Sequence, residues 1–303
     1  MVRPIAYHHM SLLEWALLLA LSLLWGSGFF FGQLALAGLP PFTIVFCRVT
    51  LAAIVLVPIV IAHRQTAHLS RRSWIVFLRL GILNCLLPFG LLLWAQERIG
   101  SGLVSVLAAS TPLFATLVAH FLLADEKATR SRLAGLVLGF AGVAVAMGPI
   151  APASRTDLAA GMATIAAALC YAMAGVLGRR SGGIPALSLA AGQLIACSLL
   201  SLPIAIAVDK PWTLAAPSVA SWIAVGALAF LCTALGYGLF FRLLLSVGAV
   251  NVSLVSLLTP MTALLLAGLV LGELLSWTLF VGAGLILAGL AVLDGRLTLN
   301  RSS

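Results

Sequence analysis

Thr111-Pro112 recurs as Thr259-Pro260, 148 residues later, and the same interval relates Ser73-Trp74-Ile75 to Ser221-Trp222-Ile223. It also pairs Gly90 with Gly238, Gly100 with Gly248 and Val104-Ser105 with Val252-Ser253. Earlier landmarks keep an interval of 145, with Pro40, Arg48 and Pro58 answering Pro185, Gln193 and Pro203. Later ones keep 147: Glu126 with Glu273, Gly135 with Gly282, Gly142 with Gly289 and Gly148 with Gly295. Drift of this size is what small loop insertions leave between two copies of one unit, so the fold has to be built from a repeated element.

Composition says what that element is. Of 303 residues, 62% are hydrophobic and 8% charged, whereas a soluble domain carries roughly 25% charge. A helix needs roughly 20 apolar residues to span a bilayer. Runs near that length fall at 12–35, 42–62, 74–95, 103–123 and 133–148, and again at 158–177, 187–208, 222–244, 250–271 and 275–293. The sequence therefore predicts an all-α integral membrane protein of ten transmembrane helices, with residues 1–149 and 150–303 as two five-helix repeats. The first run is too long for a signal-peptide core and no small-x-small pattern follows it, so it reads as a spanning helix.

Five is odd, so the second copy enters the membrane from the opposite face and the repeats are inverted. Two such units, related by a pseudo-two-fold axis in the membrane plane, can exchange outward-open and inward-open arrangements around a site between them. A multispanning enzyme needs a nucleophile with its base, or metal ligands at helical spacing. A channel needs a re-entrant segment or a ring of charges. The sequence offers none of these at mid-depth, so neither catalytic residues nor a metal or other cofactor are expected.

The net charge of +9 raises nucleic acid as a partner. Placing the N-terminus inside, however, puts Arg3, Arg64, Arg71, Arg72, Lys127, Arg130, Arg132, Arg179, Arg180, Arg242, Arg296 and Arg301 near the cytoplasmic face and only Arg98, Arg155 and Lys210 outside. Twelve against three satisfies the positive-inside rule and leaves no basic patch for nucleic acid. The expected setting is a bacterial-type inner membrane with both termini cytoplasmic. The expected partners are lipid and a small-molecule substrate, and the chain is expected as a monomer or weak homodimer. Cys47, Cys85, Cys170, Cys197 and Cys232 fall inside predicted helices at unrelated spacings, which argues for packing rather than disulfides or metal.

Trp25-Gly26-Ser27 in the first helix, Phe46-Cys47-Arg48 in the second, and in each half a Thr-Pro followed by an acidic residue and a Gly-rich helix occur here together. In this order and duplication the chain resembles the EamA-type transporters of the drug/metabolite transporter superfamily over nearly its whole length. Within that family it looks most similar to bacterial exporters of aromatic amino acids. The resemblance implies export of small neutral or zwitterionic metabolites, amino acids among them. Carriers of phosphorylated solutes share the superfamily, but they call for several cavity cations and here only Arg48 and Arg79 are available.

Residues that would line a central pathway can be picked out by depth and polarity. Pro112 and Pro260 each free a backbone carbonyl and bend their helices at matched depth, so they are expected as hinges, although a static bend is the plainer alternative. Pro88 is expected to act similarly opposite Gly236. Ser253, Ser256 and Pro260 share one helix face, and Ser105, Ala108 and Pro112 are their counterparts. Such serines can equally bond to their own helix. Asn84 is an amide at mid-membrane and needs partners. Trp25, Phe29, Trp94, Tyr171, Tyr237 and Phe240 supply aromatic walls, though membrane aromatics commonly face lipid or core.

Arg48 lies too deep to face lipid and is expected to gate the pathway through helix-end carbonyls or loops; binding a substrate carboxylate is the alternative. Every acidic residue falls at a helix end or in a loop, which favours gradient-driven movement over coupling through a buried carboxylate. Glu126 and Glu273 are expected to cap the helices that follow them.

Overall fold

The computed structural model describes residues 11–63, 70–122, 130–147, 155–181, 184–240, 242–243, 246 and 255–293, and all regular structure among them is helical. The helices are α1 (Leu12–Leu36), α2 (Pro41–Ala62), α3 (Arg71–Ile99), α4 (Ser101–Leu122), α5 (Arg130–Met147), α6 (Arg155–Arg180), α7 (Ala186–Asp209), α8 (Val219–Phe240), α9 (Val255–Leu269) and α10 (Trp277–Leu293). Of these described helices, α1 to α4 and α6 to α8 are long and apolar enough to cross a membrane, while α5, α9 and α10 are shorter apolar segments.

Helices start where the sequence offers an oxygen to free backbone N–H groups. Ser11 and Glu14 form a reciprocal capping box on α1. Ser70 accepts from the Ser73 N–H at 3.1 Å and Ser218 from the Ser221 N–H at 3.1 Å, so α3 and α8 begin with the same cap 148 residues apart. Pro41 opens α2 in the first-turn position where its missing N–H costs nothing.

Three described helices depart from regular α geometry: α7 ends in a π-helical turn at Ala205–Asp209, and α3 and α8 depart at places equivalent to each other. A π-helical stretch occupies Gly81–Leu86 in α3 and another occupies Leu228–Leu235 in α8. Each inserts extra backbone that leaves carbonyls available, a feature common at functional sites. The run at 103–123 is broken rather than merely bent: its helix stops at Ala108 and restarts at Thr111, which places Pro112 in the first turn of the new segment. Pro260 instead sits inside the continuous helix α9. The two Thr-Pro sites thus have different local geometry, because proline is free of cost at a helix start and removes a hydrogen bond further in.

The packing sorts helices by their position in each half. One apolar core gathers Leu56, Leu93, Leu194 and Leu228 from α2, α3, α7 and α8. A second gathers Leu107, Leu136, Leu264 and Ile286 from α4, α5, α9 and α10. Helix α1 packs on α8 and α9, and α6 packs on α3 and α4.

Helices α5 and α10 meet backbone to backbone. A Cβ on Gly142 would lie 2.7 Å from the Ile286 nitrogen and 2.8 Å from the Gly282 oxygen. One on Gly289 would lie 2.6 Å from the Gly139 nitrogen and 2.7 Å from the Gly135 oxygen. Close approach of small residues substitutes here for a hydrophobic driving force, which lipid does not provide between helices.

Carboxylates tie helices together at one end of the bundle. Asp209 Oδ2, closing α7, accepts from the Thr43 N–H at 2.6 Å and its hydroxyl at 2.9 Å. Glu273 accepts from the Ser101 N–H at 2.8 Å, the Ser101 hydroxyl at 2.6 Å and the Gly102 N–H at 2.9 Å. Glu273 therefore caps the distant helix α4 rather than the one that follows it, because the positive φ of 75° at Gly100 turns the chain so that free N–H groups face this carboxylate. Glu126 lies outside the described residues. At the opposite end, Arg180 donates to the Leu122 carbonyl and joins the ends of α6 and α4.

Candidate solute cavity

Between the two cores lies a cavity of about 670 Å³, walled by α1 to α4 and α6 to α9. Among the described residues, α5 and α10 contribute nothing to its wall. On α6 and α7 it runs toward the Arg180 end, reaching Gly178 and Ala186. On α3 and α4 it runs toward the Glu273 end, reaching Gln96 and Ser105.

Two polar junctions face the cavity, each joining a helix of residues 1–149 to one of residues 150–303. At the first, Arg48 Nε donates to Thr233 Oγ1 at 2.9 Å and the guanidinium carbon lies 3.9 Å over the Phe89 ring. Thr233 in turn donates to the Leu228 carbonyl at 2.8 Å, five residues back, a bond available because α8 is π-helical there. At the second, Asn84 Nδ2 in the π-helical turn of α3 contacts Gln193 Oε1 at 3.0 Å and the Tyr237 hydroxyl at 3.2 Å. Arg48 is the only charged side chain among the described lining residues.

Aromatic surface completes the wall. Trp25 and Phe240 pack with tilted rings, 5.5 Å between centroids. Gly236 makes room for this pair, since a Cβ there would come within 2.7 Å of Trp25 Nε1.

Most of the residues singled out in the sequence line this one space: Trp25, Phe29, Asn84, Ser105, Tyr171 and Tyr237, with Arg48, Pro112 and Pro260. Ser105 bonds to its own helix at the Gly102 carbonyl, 2.7 Å away. Pro88 is buried and lies outside the lining. An extra residue in a helix turns the following face by about 100°, and Phe89 supplies the wall in its place. Trp94 is also outside the lining and stacks on the Arg98 guanidinium at 4.0 Å. Ser253 lies outside the described residues, as does the Ser256 side chain.

Sequence reasoning passed over Phe89, Gln96, Gly175 and Gly178 as lining residues. Gln96 had a signal, since it falls one turn beyond Leu92 and is a buried amide near a helix end; its Nε2 donates to the Phe29 carbonyl at 3.2 Å. The glycines had none, because their Cβ positions face open space that only the assembled bundle defines.

The sequence profile of the EamA-like transporter family matches residues 13–148 and again 158–293. The chain belongs to this family. It therefore also belongs to the drug/metabolite transporter superfamily, and is a multi-pass membrane transporter of small molecules.

Several relatives of this EamA transporter match over nine-tenths or more of both chains. A probable amino-acid metabolite efflux pump of Salmonella typhimurium is 27% identical over 93% of this chain and 95% of that one. A protein of the same description in Escherichia coli is 26% identical over the same shares. An uncharacterized transporter of Bacillus subtilis, YoaV, is 25% identical over 90% of this chain and 94% of that one. One solved crystal structure, 20% identical, superposes with a TM-score of 0.66 over 94% of this chain and 98% of that one, a likeness of fold.

Proposed function

We infer that this EamA transporter moves small neutral or zwitterionic metabolites, amino acids including aromatic ones, out of the cell by alternating access through the central cavity. The observation that carries this reading is the cavity itself, walled by both halves and lined by aromatics and amides. The amino-acid assignment is supported by the names of the Salmonella and Escherichia relatives.

The inferred architecture is ten membrane helices in two inverted repeats, residues 1–149 and 150–303. The double match of the family profile supports it. So does a reciprocity in the packing. Gly282 and Gly289 are the 147-residue counterparts of Gly135 and Gly142. Gly142 meets Gly282 while Gly135 meets Gly289, the exchange of partners that a two-fold axis imposes. The α1 contacts with α8 and α9 and the α6 contacts with α3 and α4 exchange in the same way.

The charge distribution supports a bacterial-type inner membrane with both termini cytoplasmic. With that orientation the Asp209 and Glu273 ties lie at the outer end, and this arrangement is proposed to be the inward-open one, held closed outside by those ties. Trp25, Phe29, Asn84, Ser105, Tyr171, Tyr237, Ser253 and Ser256 are proposed to contact solute, with Arg48, Pro112 and Pro260 serving movement or recognition. Pro88 is proposed to shape α3 rather than touch solute.

The test is counterflow in proteoliposomes. Labelled phenylalanine, methionine or threonine is expected to accumulate in protein-containing vesicles preloaded with the same solute and not in empty ones. Accumulation of a phosphorylated solute with no amino acid moving would replace this substrate class.

Closure at the outer end has its own expected result. Glu273 is half-buried, so its hydrogen bonds are partly screened, yet bonds to a charged group contribute about 1.5–3 kcal/mol. A loss of about 1.4 kcal/mol from the inward-open state shifts a two-state balance about tenfold. In a variant with its native cysteines replaced, a thiol at Ala108 is expected to react about tenfold faster with a membrane-impermeant external reagent once Glu273 is changed to Ala. No change in that rate would remove Glu273 from the closure.

A further inference from the structure

The geometry points to Arg48 as a carboxylate subsite and to the Asn84–Gln193 amide pair as its uncharged counterpart, so that a carboxylate on the solute is obligatory and its α-ammonium is replaceable. This deepens the transport reading above by naming what the cavity recognises.

The two junctions occupy equivalent places in the halves, and they differ in charge. Gln193 stands 145 residues after Arg48, on the corresponding helix. Each reaches a π-helical turn of the other half: Arg48 bonds to Thr233 in α8, and Gln193 accepts from Asn84 in α3. Thr233 of the first junction and Tyr237 of the second lie one turn apart on α8, so a solute there meets a full positive charge at one junction and amide dipoles at its neighbour.

Arg48 is held ready for a planar anion. A guanidinium has five N–H donors in a fixed fork. One, on Nε, is fixed by Thr233, and the Phe89 ring supports the plane from below. The two terminal amino groups carry no protein hydrogen bond among the described residues. They are not among its buried unpartnered atoms either, so they are open to the cavity that Arg48 lines. No carboxylate is among the described lining residues, so no protein anion neutralises this charge within the cavity. Two parallel N–H donors match the two oxygens of a carboxylate, and such bidentate pairs are the strong class of charged hydrogen bond.

The neighbouring junction is an acceptor without charge. Asn84 uses Nδ2 on Gln193 and Tyr237, which leaves its Oδ1 without a protein partner among the described residues and outside the buried unpartnered set. An amide oxygen accepts from an ammonium, but equally from a hydroxyl. The packed rings of Trp25 and Phe240 offer apolar surface for the remaining part of the solute. The solute class that fits is an aromatic or large apolar monocarboxylate, with an amino or hydroxyl group at the α carbon.

Calorimetric binding to the purified full chain in lipid nanodiscs tests this without requiring transport. The probes are phenylalanine, 3-phenyllactate, phenylalaninamide and phenethylamine. Phenylalanine and 3-phenyllactate are expected to bind within about tenfold of each other, and the amide and amine about 10–100-fold more weakly, the range set by losing a charged rather than a neutral hydrogen bond. Arg48→Gln is expected to bring the acids down to the level of the amide while leaving the amide unchanged, and Arg48→Lys to restore part of the preference. Should Arg48→Gln not fold, Asn84→Ala decides with the wild-type series: it is expected to weaken phenylalanine and phenyllactate alike while the acid-over-amide preference persists.

Equal binding of amine and acid, an unchanged preference in Arg48→Gln, or no binding of any of the four probes overturns the assignment. Counterflow of the same four probes separates this from the transport reading. Acids that bind in this order but never cross the membrane would keep the subsite and end the transport reading. Solutes that cross with amine preferred would do the opposite.

Discussion

Gly175→Trp is expected to fold and to lose at least about nine-tenths of transport, a tenfold effect equivalent to about 1.4 kcal/mol in the barrier. Gly175 lines the cavity, and nothing lies within 4 Å of where its Cβ would be. An indole therefore enters open space without clashing. It carries roughly the apolar surface of a large buried aromatic, about 150–250 Å², and fills the proposed solute path. The measurement is phenylalanine counterflow at matched protein content, with the unfolding temperature as the control. A folded Gly175→Trp protein that transports at the normal rate would place the pathway elsewhere. Gly178, also open and also lining, is expected to give a similar loss as Gly178→Trp.

The second large effect is on stability. Gly142→Leu is expected to cost at least about 3 kcal/mol, because its side chain is driven into backbone atoms that have nowhere to move. The contact is with the Ile286 nitrogen and the Gly282 oxygen, not with the end of a flexible side chain. Gly289→Leu meets the Gly139 nitrogen and the Gly135 oxygen in the equivalent position and is expected to cost the same within error. Folded yield after extraction and unfolding in lipid-detergent mixtures read both. Equal losses are the energetic signature of a two-fold axis between α5 and α10. A tolerated leucine at one position with collapse at the other would deny that axis.

The sequence carries the helical and membrane character in its apolar runs, since hydrophobic length against bilayer thickness is a local property. Serine caps such as Ser70 and Ser218 are local too, as the bonded N–H lies three residues on. The π-helical turns are not legible in this way. They depend on how α3 and α8 are held by neighbours, and no residue type within Gly81–Leu86 or Leu228–Leu235 demands them. The residue type of Pro88 says nothing of the face it occupies, which follows the π-helical turn before it.

Partners distant in sequence were the other gap. In the sequence Glu273 has only its neighbouring helix to cap, whereas its N–H donors belong to residues about 170 positions away. Arg48 illustrates the same limit at the candidate site. Its depth in α2 was evident, but Thr233 and Phe89, which fix its orientation, come from α8 and α3. The offset between the copies did hold a usable signal, because Gln193 at the Arg48 position and Cys232 at the Asn84 position mark where the two walls differ.

Alternating access is tested most directly by the two-sided reactivity of a thiol at Ala108, on the wall of the cavity, with the native cysteines replaced. The thiol is expected to react from the cytoplasmic face at rest, and to gain reactivity from the external face when phenylalanine is supplied inside. Reactivity confined to one face whatever the supply of solute, or absent from both, would contradict a cavity that changes sides.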